Sequence, residues 1–142
     1  MRRLLPGILL FALATSLAGC NDDNNTPTTP TPPTTPTTPA VTETFTGTLN
    51  RNGGVTFPFT ATAAGTVTVT LTTLTPTSTL IIGLSLGTWT GSACQAVVPN
   101  DGATQGTIVT GTLTAAASLC ARVYDTGKVT TPVEFSVSIV HP

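Results

Sequence analysis

The sequence predicts an all-β fold: an antiparallel β-sandwich of about seven or eight strands, placed after a signal peptide and a disordered Thr/Pro linker. Three observations carry this. The run Thr66-Val67-Thr68-Val69-Thr70-Leu71-Thr72 alternates without a break, the period of a half-buried strand. Gly-, Asn- and Pro-containing turns recur between such runs. No run shows helical apolar spacing, and Thr, Val and Gly are poor helix formers.

The elements follow in order. A strand at 43–49 leads through Asn50-Arg51-Asn52-Gly53-Gly54, read as a hairpin turn, into a strand at 55–62. Pro58 inside that second run marks an edge strand or a bulge, because Pro cannot donate to the ladder. Ala64-Gly65 precedes the strand at 66–74, in which Val67, Val69 and Leu71 face inward and the Thr residues face solvent. Thr75 to Thr79 leads to Leu80-Ile81-Ile82-Gly83-Leu84-Ser85-Leu86. Asn100-Asp101-Gly102 reads as a turn. Thr107 to Leu113, Leu119 to Asp125 and Val133 to Val140 supply the remaining strands. Only 8% of the chain is charged, so few charges guard the sheet edges.

The first twenty residues have a different grammar. Arg2 and Arg3 precede a short apolar run, Ile8 to Leu13, and then small residues. The run is too short to span a bilayer, which takes roughly 20 apolar residues. It reads as a signal peptide over 1–19. Leu17-Ala18-Gly19-Cys20 resembles the lipobox of bacterial lipoproteins. The resemblance implies that Cys20 is acylated and becomes the first residue after cleavage. One acyl chain holds a protein weakly, at about 0.8 kcal/mol per buried CH₂. The diacylglyceryl and N-acyl chains that the lipobox implies would anchor it stably. Asn21, rather than Asp, follows Cys20, which in such proteins implies sorting to the outer membrane or cell surface. Residues 21–25, Asn-Asp-Asp-Asn-Asn, read as a solvated leader above the headgroups.

Every residue from Thr26 to Pro39 is Thr or Pro. Such a stretch has nothing to bury, and Pro favours an extended polyproline II path. At ~3.1 Å per residue, residues 21–42 would reach on the order of 60–70 Å. The chain therefore divides into a signal peptide (1–19), the Cys20 anchor with its linker (20–42) and a β-sandwich domain (43–142).

With Cys20 assigned to lipid, Cys94 and Cys120 remain, and export would place them where disulfides persist. A bond between them would contribute on the order of 3 kcal/mol in the chain-entropy model. It would pin the segment Asn100 to Gly106 against the strand carrying Cys120. Two buried free thiols or a metal site are the alternatives, although neither Cys has a His or second Cys at ligand spacing.

The domain's most distinctive residues are Phe45-Thr46-Gly47-Thr48-Leu49, Phe57-Pro58-Phe59-Thr60, Ala64-Gly65-Thr66 and, in the tail, Ser118-Leu119-Cys120-Ala121-Arg122-Val123-Tyr124-Asp125 with Phe135-Ser136-Val137-Ser138-Ile139. Over 43–142 this pattern resembles the bacterial pre-peptidase C-terminal (PPC-like) domains, small β-sandwiches of secreted and surface proteins. The resemblance implies a binding or accessory role rather than catalysis. Some members of that family use calcium held by acidic residues near the domain start. Here Glu43 is the only acid between Asp23 and Asp101, so no metal or other cofactor is expected.

The residues offer little for catalysis. A Ser-His-Asp constellation needs a positioned His, and the only His, His141, lies next to the last residue, where a mobile terminus is expected. Paired-carboxylate hydrolysis would draw on Asp101, Asp125 and Glu134 besides Glu43; these read as solvated groups at turns and strand ends. A pairing of Arg122 with Asp125 or Glu134 would be ordinary surface structure, worth at most about 1 kcal/mol. Five Lys and Arg against six Asp and Glu exclude a basic nucleic-acid binder. Trp89, in the loop-like Gly87-Thr88-Trp89-Thr90-Gly91, is the candidate ligand contact, by stacking on a sugar or anchoring a partner. Alternatively, it covers the sandwich end or packs on the disulfide.

The reading is an exported, lipid-anchored cell-envelope protein, its membrane contact made through lipid at Cys20, that displays a non-catalytic binding or structural module. A carbohydrate- or matrix-binding adhesin using Trp89, with a polysaccharide or protein ligand, is one alternative. A small secreted hydrolase is the other.

Overall fold

The computed structural model describes residues 38–142. The signal peptide, Cys20 and the linker up to Thr37 lie outside the described residues. Eight strands form: β1 (Val41–Leu49), β2 (Gly54–Ala61), β3 (Gly65–Thr75), β4 (Ile82–Trp89), β5 (Cys94–Ala103), β6 (Ile108–Leu113), β7 (Ala117–Tyr124) and β8 (Val133–His141). They make two four-stranded sheets. Sheet 1 runs β1-β8-β3-β6, and sheet 2 runs β2-β7-β4-β5. Each pairing within them is antiparallel. The fold is thus an all-β sandwich, and its strand order is that of a jelly roll.

Alternation builds the core. In β3, Val67, Val69 and Leu71 are buried while Thr66, Thr68 and Thr70 are partly or fully exposed. In β8, Val133, Phe135, Val137 and Ile139 are buried in the same rhythm. Ile82, Leu84 and Leu86 of β4 and Leu119, Ala121 and Val123 of β7 meet them from sheet 2. Phe57 stacks on Phe45 at 5.0 Å and meets Phe135 edge-on at 6.0 Å, joining the two sheets. On the other side of β1, Thr42, Thr44, Thr46 and Thr48 are all exposed. Their hydroxyls keep that face wetted without charge.

Pro58 lies in β2, which is an edge strand of sheet 2, as its missing N–H requires. Three local expectations need correction. The turn at Asn50 is not a hairpin. Gly53 N–H bonds the Asn50 carbonyl at 2.9 Å and Asn52 takes φ 55°, a left-handed conformation that Asn tolerates. The turn instead passes the chain from sheet 1 to sheet 2, since β1 pairs with β8 and β2 with β7.

The strand expected from Leu80 starts at Ile82 and runs on to Trp89, so Trp89 ends a strand rather than sitting in a loop. Asn100-Asp101-Gly102 lies inside β5, not in a turn. Its turn chemistry is spent on a bulge: Ile82 pairs with Ala103 and Leu84 with Asn100, leaving one extra residue on β5. Gly102 N–H donates to Asn100 Oδ1 at 3.0 Å within it.

Candidate functional site

The outer face of sheet 2 gathers most of the distinctive side chains. β4 presents Gly83, Ser85 and Gly87 to that face, and longer groups from β7 lie over them. Gly83 pairs with Tyr124, Ser85 with Arg122 and Gly87 with Cys120. A Cβ on Gly83 would overlap the Tyr124 ring, so the glycine makes a seat for the aromatic. From that seat the Tyr124 hydroxyl crosses β4 and donates to Asp101 Oδ1 on β5. The Arg122 guanidinium lies 5.4 Å from the centroid of the same ring. Arg122 therefore packs on an aromatic face, and among the described residues no ion pair joins it to Asp125 or Glu134. Burial, reinforced by the Asp101 hydrogen bond and charge, raises the Tyr124 phenol from its ordinary 10.0 to about 12. Ser85, on the same outward side, is fully buried.

Cys94 and Cys120 are joined in a disulfide with Cα atoms 5.7 Å apart, across a sequence separation of 26. The bond links β5 to β7, which flank β4 in the sheet. Strands two apart normally stand roughly 9–10 Å from each other. The start of β5 must therefore bend over β4, and Gly87 makes room: a Cβ there would overlap the Gln95 carbonyl. A second bulge helps, because Leu86 pairs with Val98 and Gly87 with Ala96, leaving Val97 as the extra residue. The bridge thus pins the start of β5, not the segment Asn100 to Gly106.

Trp89 pairs with Cys94 at this end and is partly buried. It is not among the residues lining the cavities described below.

The acidic residues hold the frame. Asp125 Oδ1 accepts N–H bonds from Gly127, Lys128 and Val129 at 2.7, 2.8 and 3.0 Å. Its Oδ2 accepts the Asn52 N–H at 2.8 Å. One carboxylate thereby ties the β7–β8 loop to the β1–β2 turn. These N–H donors, Val129 and Asn52 first, hold the Asp125 carboxyl below its ordinary value of 3.8. Asp101 and Asp125 serve different partners and do not share a site.

His141 was expected at a mobile terminus, but it is the last residue of β8 and only 3% exposed. Its Nε2 lies 3.1 Å from Glu43 Oε1 and its Nδ1 3.2 Å from the Pro142 carbonyl. Its ring centroid is 5.2 Å from that of Phe59. Pairing between β1 and β8 holds it, with Val41 opposite His141. Sequence reading missed this because proximity to the end hid a register position. Among the described residues, no three His, Cys, Asp or Glu side chains converge on one point.

Concave regions among the described residues include three of different character. A polar hollow of about 340 Å³ lies on sheet 1 between Thr46, Thr48, Thr73, Thr75, Glu134 and Ser136. A second, about 290 Å³, lies beside His141 and Pro142. The third, about 270 Å³, is apolar and opens between β5 and β6, with Leu86, Val97, Val98, Leu113 and Leu119 in its wall.

No protein-family model matches the chain, and no curated protein matches it.

Proposed function

We propose that the chain is an exported lipoprotein of the bacterial cell envelope, anchored through lipid at Cys20, that displays a non-catalytic β-sandwich as a binding or structural module. The observation that carries this reading is the use of its three cysteines. Cys94 and Cys120 are consumed by a structural disulfide inside the domain, the chemistry of an oxidising compartment. Cys20 is the one left over, and it stands at the end of Leu17-Ala18-Gly19-Cys20, behind a basic and then apolar leader. The all-Thr/Pro segment between anchor and domain fits a spacer.

The non-catalytic part of the reading draws on how the acids are employed. Asp101 holds Tyr124, Asp125 holds four backbone N–H groups and Glu43 meets His141. Trp89, at a strand end opposite a disulfide cysteine, is read as covering the sandwich end rather than contacting ligand. The likeness to PPC-like domains belongs to this proposal and agrees with the sandwich class.

The test is fractionation of cells expressing the Cys20→Ala variant. Wild type should sediment with membranes and label with a fatty-acid probe. The variant should lose the label and accumulate with its leader uncleaved. Unchanged labelling and processing in Cys20→Ala would contradict the proposal.

A further inference from the structure

We infer that the free edge of β6 is a pairing surface for a second copy of this chain. The sandwich has four edge strands: β1 and β6 in sheet 1, β2 and β5 in sheet 2. An exposed edge is a template for another strand unless charge, Pro or a bulge blunts it. β1 carries Glu43 and β2 carries Pro58. β5 carries Pro99, Asp101 and two bulges. β6, Ile108-Val109-Thr110-Gly111-Thr112-Leu113, has no charge and no Pro, and it pairs with β3 without a register shift.

The backbone parity of β6 fixes which groups are free. Leu71 N–H bonds the Thr107 carbonyl at 2.9 Å. In an antiparallel ladder, hydrogen-bonded pairs recur at every second residue. Val109, Gly111 and Leu113 therefore bond β3, and the N–H and C=O groups of Ile108, Thr110 and Thr112 point to the open edge. The side chains of those three residues are exposed, Ile108 at 59%.

The free groups are self-complementary. A two-fold axis through Thr110 sets Thr110 opposite its own copy and Ile108 opposite Thr112 of the second copy, so every outward group finds a partner. It also sets the large Val109 opposite the small Gly111, and no charge opposes another. This is the isologous geometry of a symmetric dimer. The apolar hollow beside β6, with Val97 at 65% exposure in its wall, lies on the same open side and would be narrowed by the second copy. Six residues of ladder bury far less than the roughly 800 Å² per partner of a stable interface. The pairing is thus weak rather than that of an obligate dimer.

Single-cysteine cross-linking of the full chain in cell envelopes tests this. The proposed register places two copies of Thr110→Cys directly opposite each other, within disulfide reach. Two copies of Ile108→Cys lie four residues out of step, roughly 13 Å apart. Thr44→Cys, exposed on β1 at the other edge of sheet 1, is the control. Mild oxidation should give a dimer band for Thr110→Cys that Ile108→Cys and Thr44→Cys lack, with Cys94–Cys120 still bonded by intact mass as the check on folding. No dimer at Thr110→Cys in a protein that retains that bond, or equal dimer at all three positions, would overturn the inference.

Discussion

At the scale of single residues, Asp125 and Tyr124 each tie separate parts of the frame, and both give stability a pH signature. Asp125 has a depressed folded-state pKa. Its contribution is present above the ordinary carboxyl value of 3.8 and disappears as pH falls through the lower folded value. Tyr124 has a raised folded-state pKa of about 12. Its contribution is complete below pH 10 and disappears as pH rises through about 12. Urea unfolding across pH should therefore show a loss at each extreme. Asp125→Asn should flatten the acid limb and leave the alkaline one. Tyr124→Phe should flatten the alkaline limb and cost about 1 kcal/mol at neutral pH, the worth of one hydrogen bond. An alkaline limb unchanged in Tyr124→Phe would mean that the phenol is not held as described.

The same scale shows where sequence reading reached its limit. The inward positions Val67, Val69 and Leu71 were legible because period two is a local property of the chain. The Tyr124–Asp101 bond was not, because it depends on a missing side chain at Gly83, three strands' worth of placement away from any local pattern. His141 was misjudged for a related reason. Its neighbours Glu43 and Phe59 are distant in sequence, and only the β1–β8 register and the packing of the two sheets bring them close.

At the scale of elements, β5 was the strand that sequence did not reveal. Its residues Pro99, Asn100, Asp101 and Gly102 are turn formers, and two bulges accommodate them. A hairpin partner, β4, overrides their propensity, as tertiary context does elsewhere. The disulfide is the element-scale lock on this irregular strand, and Gly87 is its precondition. Gly87→Val should push β5 from β4 and hinder the bond, so that Cys94 and Cys120 titrate as free thiols. Stability should then fall by about 3 kcal/mol, the chain-entropy value for a loop of this size. A Gly87→Val protein that keeps the bond and the wild-type urea midpoint would show that β5 does not cross as tightly as described.

At the scale of the whole molecule, the class of fold was legible and its topology was not. Alternation and turns specify strands. They do not specify that successive strands switch between sheets, with β4 and β5 the one pair of consecutive strands joined side by side. The turn at Asn50 illustrates this, since its residues fit a hairpin and a sheet-to-sheet crossing equally well. The three cysteines connect the fold to the proposed location, because two lock the domain and the third, Cys20, is the residue the proposal assigns to lipid.

Intact mass with disulfide mapping, on mature protein extracted from membranes in detergent, tests that connection most directly. The account predicts a chain that begins at acylated Cys20, with Cys94 bonded to Cys120. An unacylated chain, or free thiols at Cys94 and Cys120, would contradict it.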